Sequence, residues 1–445
     1  MSAKGGKGDK VKLKHIFLFF IMLSVALTTR NVLAAGSGAF RLGFGDAESL
    51  AKGGAFVGEA DNAADVYHNP AGMTQLEDGQ HVSAGFAWLN LFVDHESPSG
   101  VETQMRRENI VIPQLYYVNN FGLEDFSFGV GVRSNNGAST EWAEDSFSKY
   151  VATRTDLENI DYLVAGAYQL NDNLSVGAGI DVVNAKLSQN KLINQQPGTD
   201  AEAQLKFQDY GVGYTLSTLY KVNEKHQFGL QYRGPIDLKW EGEATLHGLN
   251  DAGANPLATI FGGSTYSTDI QWDITLPQSV VLGYSFKPDN KWRFNFDAEW
   301  TDWSTIEQEV LSFGETNGTR NTVLHSATDL SLDWKSSWAF SLGGEYAYND
   351  KLDLRAGYFF HETPIPDANF NSFLPDSDSH GINLGFGYDL NDSATLDMSW
   401  TGVFFTDRDL SGNTVGASSG ANINGTYEEY VNIVMMTFNY SFGGK

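Results

Sequence analysis

The 445-residue sequence lacks cysteine, is poor in basic residues and has no long apolar run beyond its N-terminus. The absence of cysteine excludes a disulfide framework, a thiolate metal site and a lipoprotein anchor. Lysine and arginine number 29 against 55 acidic residues, for a net charge of −26. This balance excludes the basic face that nucleic-acid binding requires. Without a run of 18 apolar residues, no helix is predicted to span a bilayer.

Motifs for catalysis and metal binding are also missing. The nine histidines fall in no zinc-binding spacing such as HExxH, and neither a P-loop nor a nucleophile elbow is present. Asp376 and Asp378 could hold Ca²⁺, but the remaining ligands of a calcium loop are absent, and a solvated loop is the simpler interpretation. We therefore expect no metal, no cofactor and no catalytic residue.

Residues 1–35 have the parts of a secretory signal peptide. Five lysines lie between Lys4 and Lys14, residues 16–27 are apolar, and small residues allow cleavage after Ala34 or Ala35. A retained membrane anchor is the alternative. We expect export across the inner membrane.

Alternation of apolar and polar residues dominates the chain from Gln80 to Phe442. In Lys291–Trp300, aromatic residues occupy one face and charged or polar residues the other. In a soluble protein the aromatic face would be core, whereas in an outer-membrane barrel it would meet lipid. One strand alone does not separate these interpretations.

The set of strands does separate them. About fourteen strands are predicted, and they begin near Gln80, Arg107, Glu124, Leu157, Asn173, Ala203, His226, Thr268, Lys291, Asp333, Lys351, Gly381, Ser393 and Tyr430. Short and long connections alternate between them, as periplasmic turns and extracellular loops do. The sequence therefore predicts an all-β protein, a 14-stranded antiparallel transmembrane β-barrel over residues 79–445, in a Gram-negative outer membrane.

Residues 36–78 are rich in glycine and alanine and show no alternation. A fourteen-stranded barrel is too wide for its own side chains to fill. The segment starts on the periplasmic side and leads into the first strand, so we expect an N-terminal hatch that plugs the barrel. Disorder is the alternative. The acidic loops either face a cation-bridged lipopolysaccharide surface or simply keep the protein soluble.

Several short motifs, in order along the mature chain, are similar to the FadL/TodX family of outer-membrane transporters for long-chain fatty acids and hydrocarbons. They are Asn69-Pro70-Ala71, Gly129–Gly137, Leu276-Pro277, Trp300–Ser304, Thr363–Pro366 and Leu374–Asp376. The resemblance implies a fourteen-stranded barrel with a hatch, in which Asn69, Pro70 and Ala71 form a rigid corner because Pro70 fixes its φ angle.

The resemblance also implies passive transport of long-chain fatty acids or similar hydrophobic molecules, with lateral release into the bilayer. The third strand would kink inward at Ser134, Asn135, Asn136 and Gly137 and open a gap in the wall; an ordinary strand-to-loop turn is the alternative. A hydrocarbon importer is the second hypothesis. An outer-membrane hydrolase and a structural or adhesion protein are hypotheses of other classes. We expect a monomer.

Ligand-binding residues are implied at three positions. Lys335 matches a carboxylate-binding lysine of the family, and alternation from Trp334 to Leu342 predicts that it points inward; pairing with Glu345 is the alternative. Lys186 resembles a family arginine of the same role and Val182 a pocket residue, although alternation places both on the lipid face. The apolar loop residues Leu192, Ile193, Leu257, Ile260 and Phe261 fit either an initial binding groove or simple loop packing. His68 is expected to be structural.

Overall fold

The computed structural model describes residues 39–43, 45–253, 255–328 and 330–443. The predicted signal peptide, residues 1–35, lies outside the described residues. The described chain consists of one large antiparallel sheet that closes on itself, with the N-terminal part of the chain inside it.

Fourteen strands form the wall. They are β1 Gln80–Glu96, β2 Glu108–Asn119, β3 Phe126–Arg133 with Gly137–Glu141, β4 Arg154–Asn171, β5 Leu174–Ile193, β6 Ala201–Asn223, β7 His226–Arg233 with Ile236–His247, β8 Thr265–Leu276 with Ser279–Phe286, β9 Trp292–Thr301, β10 Ser337–Asn349, β11 Leu352–His361, β12 Ser379–Asn391, β13 Ala394–Phe405 and β14 Gly425–Phe442. The last strand pairs with the first from Gln80↔Phe442 to Glu96↔Thr426. The wall is therefore a closed barrel, as predicted.

Alternation determines which side chains face lipid. In β9, Trp292, Phe294 and Phe296 are exposed on the outside, whereas Asn295 and Asp297 are buried inside. Exposed apolar residues repeat in this way along the other strands. The outside is thus apolar and the inside polar, the arrangement of an outer-membrane barrel.

The connections alternate in length as expected. Two to six residues join each even strand to the next odd one, and the long loops 97–107, 142–153, 194–200, 248–264, 302–336, 362–378 and 406–424 lie at the other end. The loops carry short strands (Glu102–Gln104, Gln308–Glu309, Ser312–Phe313, Leu330–Ser331, Arg408–Leu410), two helices, α3 Leu257–Phe261 and α4 Gly318–Thr328, and 3₁₀ turns at Trp303–Thr305 and Ala417–Ser419. Among the described residues, no helix is long and apolar enough to cross a bilayer.

Residues 39–43 and 45–76, here called the inner segment, lie inside the barrel. They form α1 Ala47–Ala51, α2 Asp65–His68 and the 3₁₀ helix Pro70–Gln75. Asp46 caps α1 by accepting a hydrogen bond from the Ser49 amide at 2.6 Å. Contacts run to opposite sides of the wall: Tyr116 on β2 donates to Gly45 O at 3.0 Å, and the Phe56 amide donates to Asp297 on β9 at 2.9 Å.

Candidate ligand cavity and wall break

The wall is interrupted in β3 at residues 134–136, here called the β3 break. We call the end of the barrel with the short turns its lower end and the end with the long loops its upper end. Below the break, β3 pairs with β2 from Leu115↔Val132 to Asn119↔Phe128. Above it, Gly137–Glu141 pairs with β4 alone, and residues 108–114 of β2 have strand partners only on β1. The β2–β3 seam therefore lacks its hydrogen-bond ladder over the upper part of β2.

The β3 break bends inward because it is bonded to the inner segment. The Leu42 amide donates to Asn135 O at 2.7 Å, and the Gly137 amide donates to Phe40 O at 2.8 Å. Arg133 Nη2 donates to Leu42 O at 2.9 Å, and Ser134 Oγ donates to Asn159 O on β4 at 2.7 Å. The chain thus leaves the wall where Ser134–Gly137 was expected to kink, and it pairs with the inner segment instead.

Sequence reasoning missed one signal for this seam. Pro113 lies in the part of β2 that has no partner on β3. Proline cannot donate to a ladder, so within sheets it is confined to edge strands and bulges. A proline in the middle of a predicted strand could have indicated that β2 has an unpaired edge there.

A cavity lies between the inner segment and the wall. Its apolar lining comes from both sides: Leu50, Val57, Val281, Phe359, Val403 and Ile433. Charged side chains line it as well: Arg41, Arg233, Asp297 and Glu299. A second cavity shares the two arginines with the first, and Asn135 and Asn136 of the β3 break also line it. The two arginines therefore stand between the first cavity and the wall break.

Three arginines, here called the arginine cluster, surround Tyr67 of the inner segment. The Arg133 and Arg233 guanidinium carbons lie 3.4 and 3.9 Å from the centre of its ring, and Arg41 pairs with Glu299. Burial alone would raise the pKa of Tyr67, but Arg133, Arg233 and Arg41 outweigh it and lower that pKa to about 6. The potential at the cluster thus favours an anion. Sequence reasoning did not assign these arginines, although their scarcity on strands was the available signal.

A second set of charges, here called the charge clamp, holds the opposite side of the inner segment. Its centre is Lys52, fully buried, with Nζ 3.2 Å from Glu48, 2.6 Å from Glu59 and 3.8 Å from Glu345. The clamp continues into the wall through Arg293, which pairs with Glu59 and Asp61, and through Arg355, which pairs with Glu48 and Asp397. Glu48, Glu59 and Glu345 are close enough to hold a metal ion, but Lys52, Arg293 and Arg355 already pair with them.

Glycines in the wall let the inner segment approach closely. A Cβ on Gly229 of β7 would lie 1.9 Å from Val57 O, and one on Gly357 of β11 would lie 2.2 Å from the Gly53 amide. Neither distance is compatible with a side chain. The inner surface of the barrel is therefore shaped to receive this backbone.

The Asn69-Pro70-Ala71 motif fixes the inner segment to β6. Asn69 is buried and donates to Val57 O at 2.9 Å and to Thr218 O at 3.2 Å. The Ala71 amide donates to Ser217 Oγ at 3.0 Å. Nearby, burial beside Arg133 and Arg233 lowers the pKa of His68 well below its usual value, as suits a neutral, packed side chain.

Lys335 does not point inward, and that prediction is wrong. β10 begins at Ser337 rather than near Asp333, and Asp333 has a positive φ of 42° that interrupts the alternation. Trp334 is consequently buried against Phe40 and Lys335 is exposed. Pairing with Glu345 does not occur either, since that carboxylate binds Arg355 at 2.7 Å. A contact between Lys335 and a ligand stays a prediction, but the expected inward orientation no longer supports it.

Lys186 and Val182 lie on the outer face of β5, as alternation indicated. Val183 and Leu187 of the same strand are buried inside, so Lys186 points away from both cavities. A pocket role for either outward residue has no support in this geometry.

The apolar loop residues form a packed cluster. Leu257 and Phe261 of α3 are buried against Leu324 of α4, and Ile193 and Ile260 pack at its edge. A small apolar cavity remains between these elements. In the other loop of interest, Asp376 accepts a hydrogen bond from Thr363 Oγ1 and Asp378 one from the Thr363 amide.

The closed barrel, its apolar outer face and its occupied interior define an outer-membrane transport protein. The family model described as "Outer membrane protein transport protein (OMPP1/FadL/TodX)" matches residues 27–442. The chain belongs to this family.

Relatives and solved structures agree with the assignment. The chain is 27% identical over 420 residues to the long-chain fatty acid transport protein of Escherichia coli K12, covering 85% of this chain and 90% of that one. It is 24% identical over 474 residues to outer membrane protein P1 of Haemophilus influenzae, covering 94% and 98%. Its fold resembles that of a Pseudomonas aeruginosa FadL homologue (TM-score 0.77, 17% identity, 91% and 100% covered) and of the P. putida toluene transporter TodX (TM-score 0.70, 19% identity, 92% and 99% covered).

Proposed function

We propose that the protein is a passive outer-membrane transporter of long-chain fatty acids. The ligand is captured in the cavity between the inner segment and the wall, with its acyl chain against the apolar part of the lining. The inner segment acts as a hatch that directs the ligand sideways through the β3 break into the bilayer. The observation that carries the proposal is the β3 break itself. Its residues border the cavity system and are bonded to the inner segment rather than to β2.

Physical chemistry supports a lateral route. A fatty acyl chain gains about 0.8 kcal/mol for each CH₂ group that leaves water, and a water-filled channel to the periplasm would forfeit this gain. Lateral release keeps the chain in apolar surroundings throughout. The charge clamp supports the same route, because it fixes the inner segment against the wall on the side away from the β3 break.

The arginine cluster supports a carboxylate ligand. Arg41 and Arg233 line both cavities, and guanidinium groups bind carboxylates through charge-assisted hydrogen bonds. The long-chain fatty acid transport protein of E. coli is a relative over most of the chain. The small apolar cavity between α3 and α4 would provide the first contact at the cell surface. We propose a monomer whose acidic loops face lipopolysaccharide.

The test is uptake of labelled oleate by cells that lack their own importer. We would compare the wild type with a variant that rebuilds the β3 break as strand (Ser134→Thr, Asn135→Val, Asn136→Thr, Gly137→Val). A matched control carries four substitutions in the exposed turn 97–100. Heat-dependent gel migration shows that each barrel is folded. Loss of uptake in the rebuilt variant alone supports lateral release, equal uptake in all three removes it, and no uptake by the wild type removes long-chain fatty acids.

Import of hydrocarbons is the second candidate, and solved neighbours include toluene transporters. Arg233→Gln separates the two ligand classes, because a guanidinium group offers charge-assisted hydrogen bonds to a carboxylate and none to a hydrocarbon. The Arg106→Gln variant, in a largely exposed ion pair, is the control. A fatty acid transporter loses oleate uptake and keeps hexadecane uptake in Arg233→Gln, whereas a hydrocarbon importer keeps both. A hydrolase would instead turn over a labelled ester.

A further inference from the structure

The wall has a second interruption, between β6 and β7. Below it, the two strands pair from Asn223↔His226 to Thr215↔Arg233. Above it, they pair from Gln208↔Glu241 to Glu202↔His247. Residues 209–214 of β6 and 234–240 of β7 are not paired with each other in the β-ladder, and we call this stretch the β6–β7 gap.

Two hydrogen bonds frame the gap. The Gly234 amide donates to Tyr214 O at 2.8 Å at its lower edge, and the Lys239 amide donates to Asp209 Oδ2 at 2.6 Å at its upper edge. Pro235, between them, has no amide hydrogen to donate. The gap is therefore bounded on all sides, as a window would be.

Two side chains of β7 fill the gap from inside. Gly211 and Gly213 leave the inner face of β6 without side chains. Ile236 occupies the space at both glycines, and Leu238 reaches it at Gly211, where its Cδ2 would lie 2.8 Å from an added Cβ. A Cβ on Gly211 would lie 2.4 Å from Ile236 Cγ2, and one on Gly213 would lie 2.8 Å from Ile236 Cγ1. Unlike a strand seam, this closure can open by the movement of side chains, without breaking a ladder.

The gap lies between the bilayer and the second cavity. Tyr210, Val212 and Tyr214 are 59%, 64% and 46% exposed on the outside, whereas Gly213 and Ile236 line the cavity inside. The exposed charges Asp237 and Lys239 lie in the upper part of the gap. The gap thus straddles the upper edge of the apolar band, on the extracellular side, and its lower part, beside Val212 and Tyr214, faces the bilayer.

The same internal space borders both interruptions. Asn135 and Asn136 of the β3 break line the second cavity together with Ile236. Strand registers also connect them: Arg133 pairs with Asp161, Asp161 with Val183, and Val183 with Gly211. Strands β3 to β6 therefore form a part of the wall that is unpaired with β2 on one side and with β7 on the other, at the same height in the barrel.

We propose that the β6–β7 gap is a second lateral portal, closed by Ile236 with Leu238, through which apolar molecules exchange between the second cavity and the outer leaflet. The portal rests on the proposed function for its cargo. Its existence, however, requires only that acyl chains from the bilayer reach the gap.

The test is photolabelling of the full chain in proteoliposomes that contain a phospholipid with a diazirine on its acyl chain. Mass spectrometry then maps the labelled residues. If the gap is a portal, Ile236 should be labelled nearly as strongly as Val212, which faces the bilayer. It should be labelled far more strongly than Val183, which faces the interior from β5, a strand that is paired on both sides. Label on Ile236 no higher than on Val183 overturns the proposal.

A pair of alanine variants sharpens the result. Ile236→Ala removes the side chain that closes the gap at both glycines, whereas Ile274→Ala removes the same atoms from a buried position in the intact β7–β8 seam. A portal predicts that labelling of Arg233 and Leu238 rises severalfold in Ile236→Ala alone. Equal labelling in the two variants contradicts the portal.

This readout is independent of transport. If the wild type takes up no oleate but Ile236 is labelled, the proposed function fails and the opening to lipid stands. If oleate uptake depends on the β3 break and Ile236 is unlabelled, only the second portal is removed.

Discussion

The two sides of the inner segment are held to the barrel in different ways. On the clamp side, residues 48–61 are tied to β9, β10 and β11 by several buried ion pairs centred on Lys52 and Arg355. On the break side, residues 40–43 are tied to β3 by main-chain hydrogen bonds and to β9 by a single ion pair, Arg41 with Glu299. Removing one partner of a buried ion pair costs about 3–5 kcal/mol, whereas a hydrogen bond contributes about 1 kcal/mol.

This difference indicates where movement begins. If the inner segment acts as the hatch proposed above, we expect it to move first at the weak side, which faces the β3 break. The clamp side would keep the rest of the inner segment in place while the break side moves. Under that proposal, the path to the bilayer would need less disruption than a path through the barrel to the periplasm.

The largest expected effect comes from breaking the clamp with Lys52→Met. Lys52 is fully buried, and its loss leaves Glu48, Glu59 and Glu345 without their shared cation. We expect a loss of about 3–5 kcal/mol in the free energy of unfolding. Denaturant unfolding of the purified barrel in detergent measures it, and limited proteolysis shows whether the inner segment is released.

Two comparisons test the reason for that loss. The double variant Lys52→Met with Glu59→Gln removes one positive and one negative charge. It should recover part of the stability that Lys52→Met alone loses. Arg106→Gln breaks an ion pair whose arginine is 68% exposed and should cost about 1 kcal/mol at most. If Lys52→Met is no worse than Arg106→Gln, the clamp contributes no more than an exposed ion pair and the inner segment has no strong side.

The sequence predicts the barrel well because the wall follows local rules. Alternation in stretches such as Lys291–Trp300 reports which side chains meet lipid, and turn lengths report which end of each strand is periplasmic. Fourteen strands and a closed barrel follow from these two patterns. The one clear failure of orientation, at Lys335, occurs where Asp333 leaves regular strand geometry and alternation no longer applies.

The site is less predictable because long-range contacts build it. Lys52 and Glu345 are far apart in the chain, and no local pattern pairs them. The same holds for Arg41 and Arg233, which meet at Tyr67 only when the inner segment enters the barrel. Pro113 in β2 and Gly234-Pro235 in β7 were the available local signals for interrupted seams.

A smaller effect is expected from pH on the break side. Asp376 is buried, accepts from Thr363 and from the amide of Ala39, and burial raises its pKa to about 6. Because the folded state holds this proton more tightly than the unfolded chain, the stabilising contribution of Asp376 is full below about pH 4 and is lost as pH rises through about 6. The loss is at most about 3 kcal/mol.

Asp376→Asn should remove this pH dependence, because the amide stays neutral and its oxygen can still accept from Thr363. The measurement is the thermal unfolding midpoint in detergent at several values between pH 4 and pH 7. The part of the wild-type slope that comes from Asp376 should be absent in the variant. Equal slopes in both proteins would show that the carboxylate does not titrate in this range.

The smallest effect is expected from Ser134→Ala, and it tests the weak side directly. Ser134 Oγ donates to Asn159 O at 2.7 Å and to Asn136 O at 3.2 Å, so its removal should loosen the β3 break by about 1 kcal/mol. Hydrogen exchange of the Leu42 and Gly137 amides should then be about fivefold faster, since 1 kcal/mol corresponds to that factor. The Phe56 amide on the clamp side should exchange at the wild-type rate. Equal acceleration at all three amides would mean that the inner segment moves as one body and that its two sides are not independent.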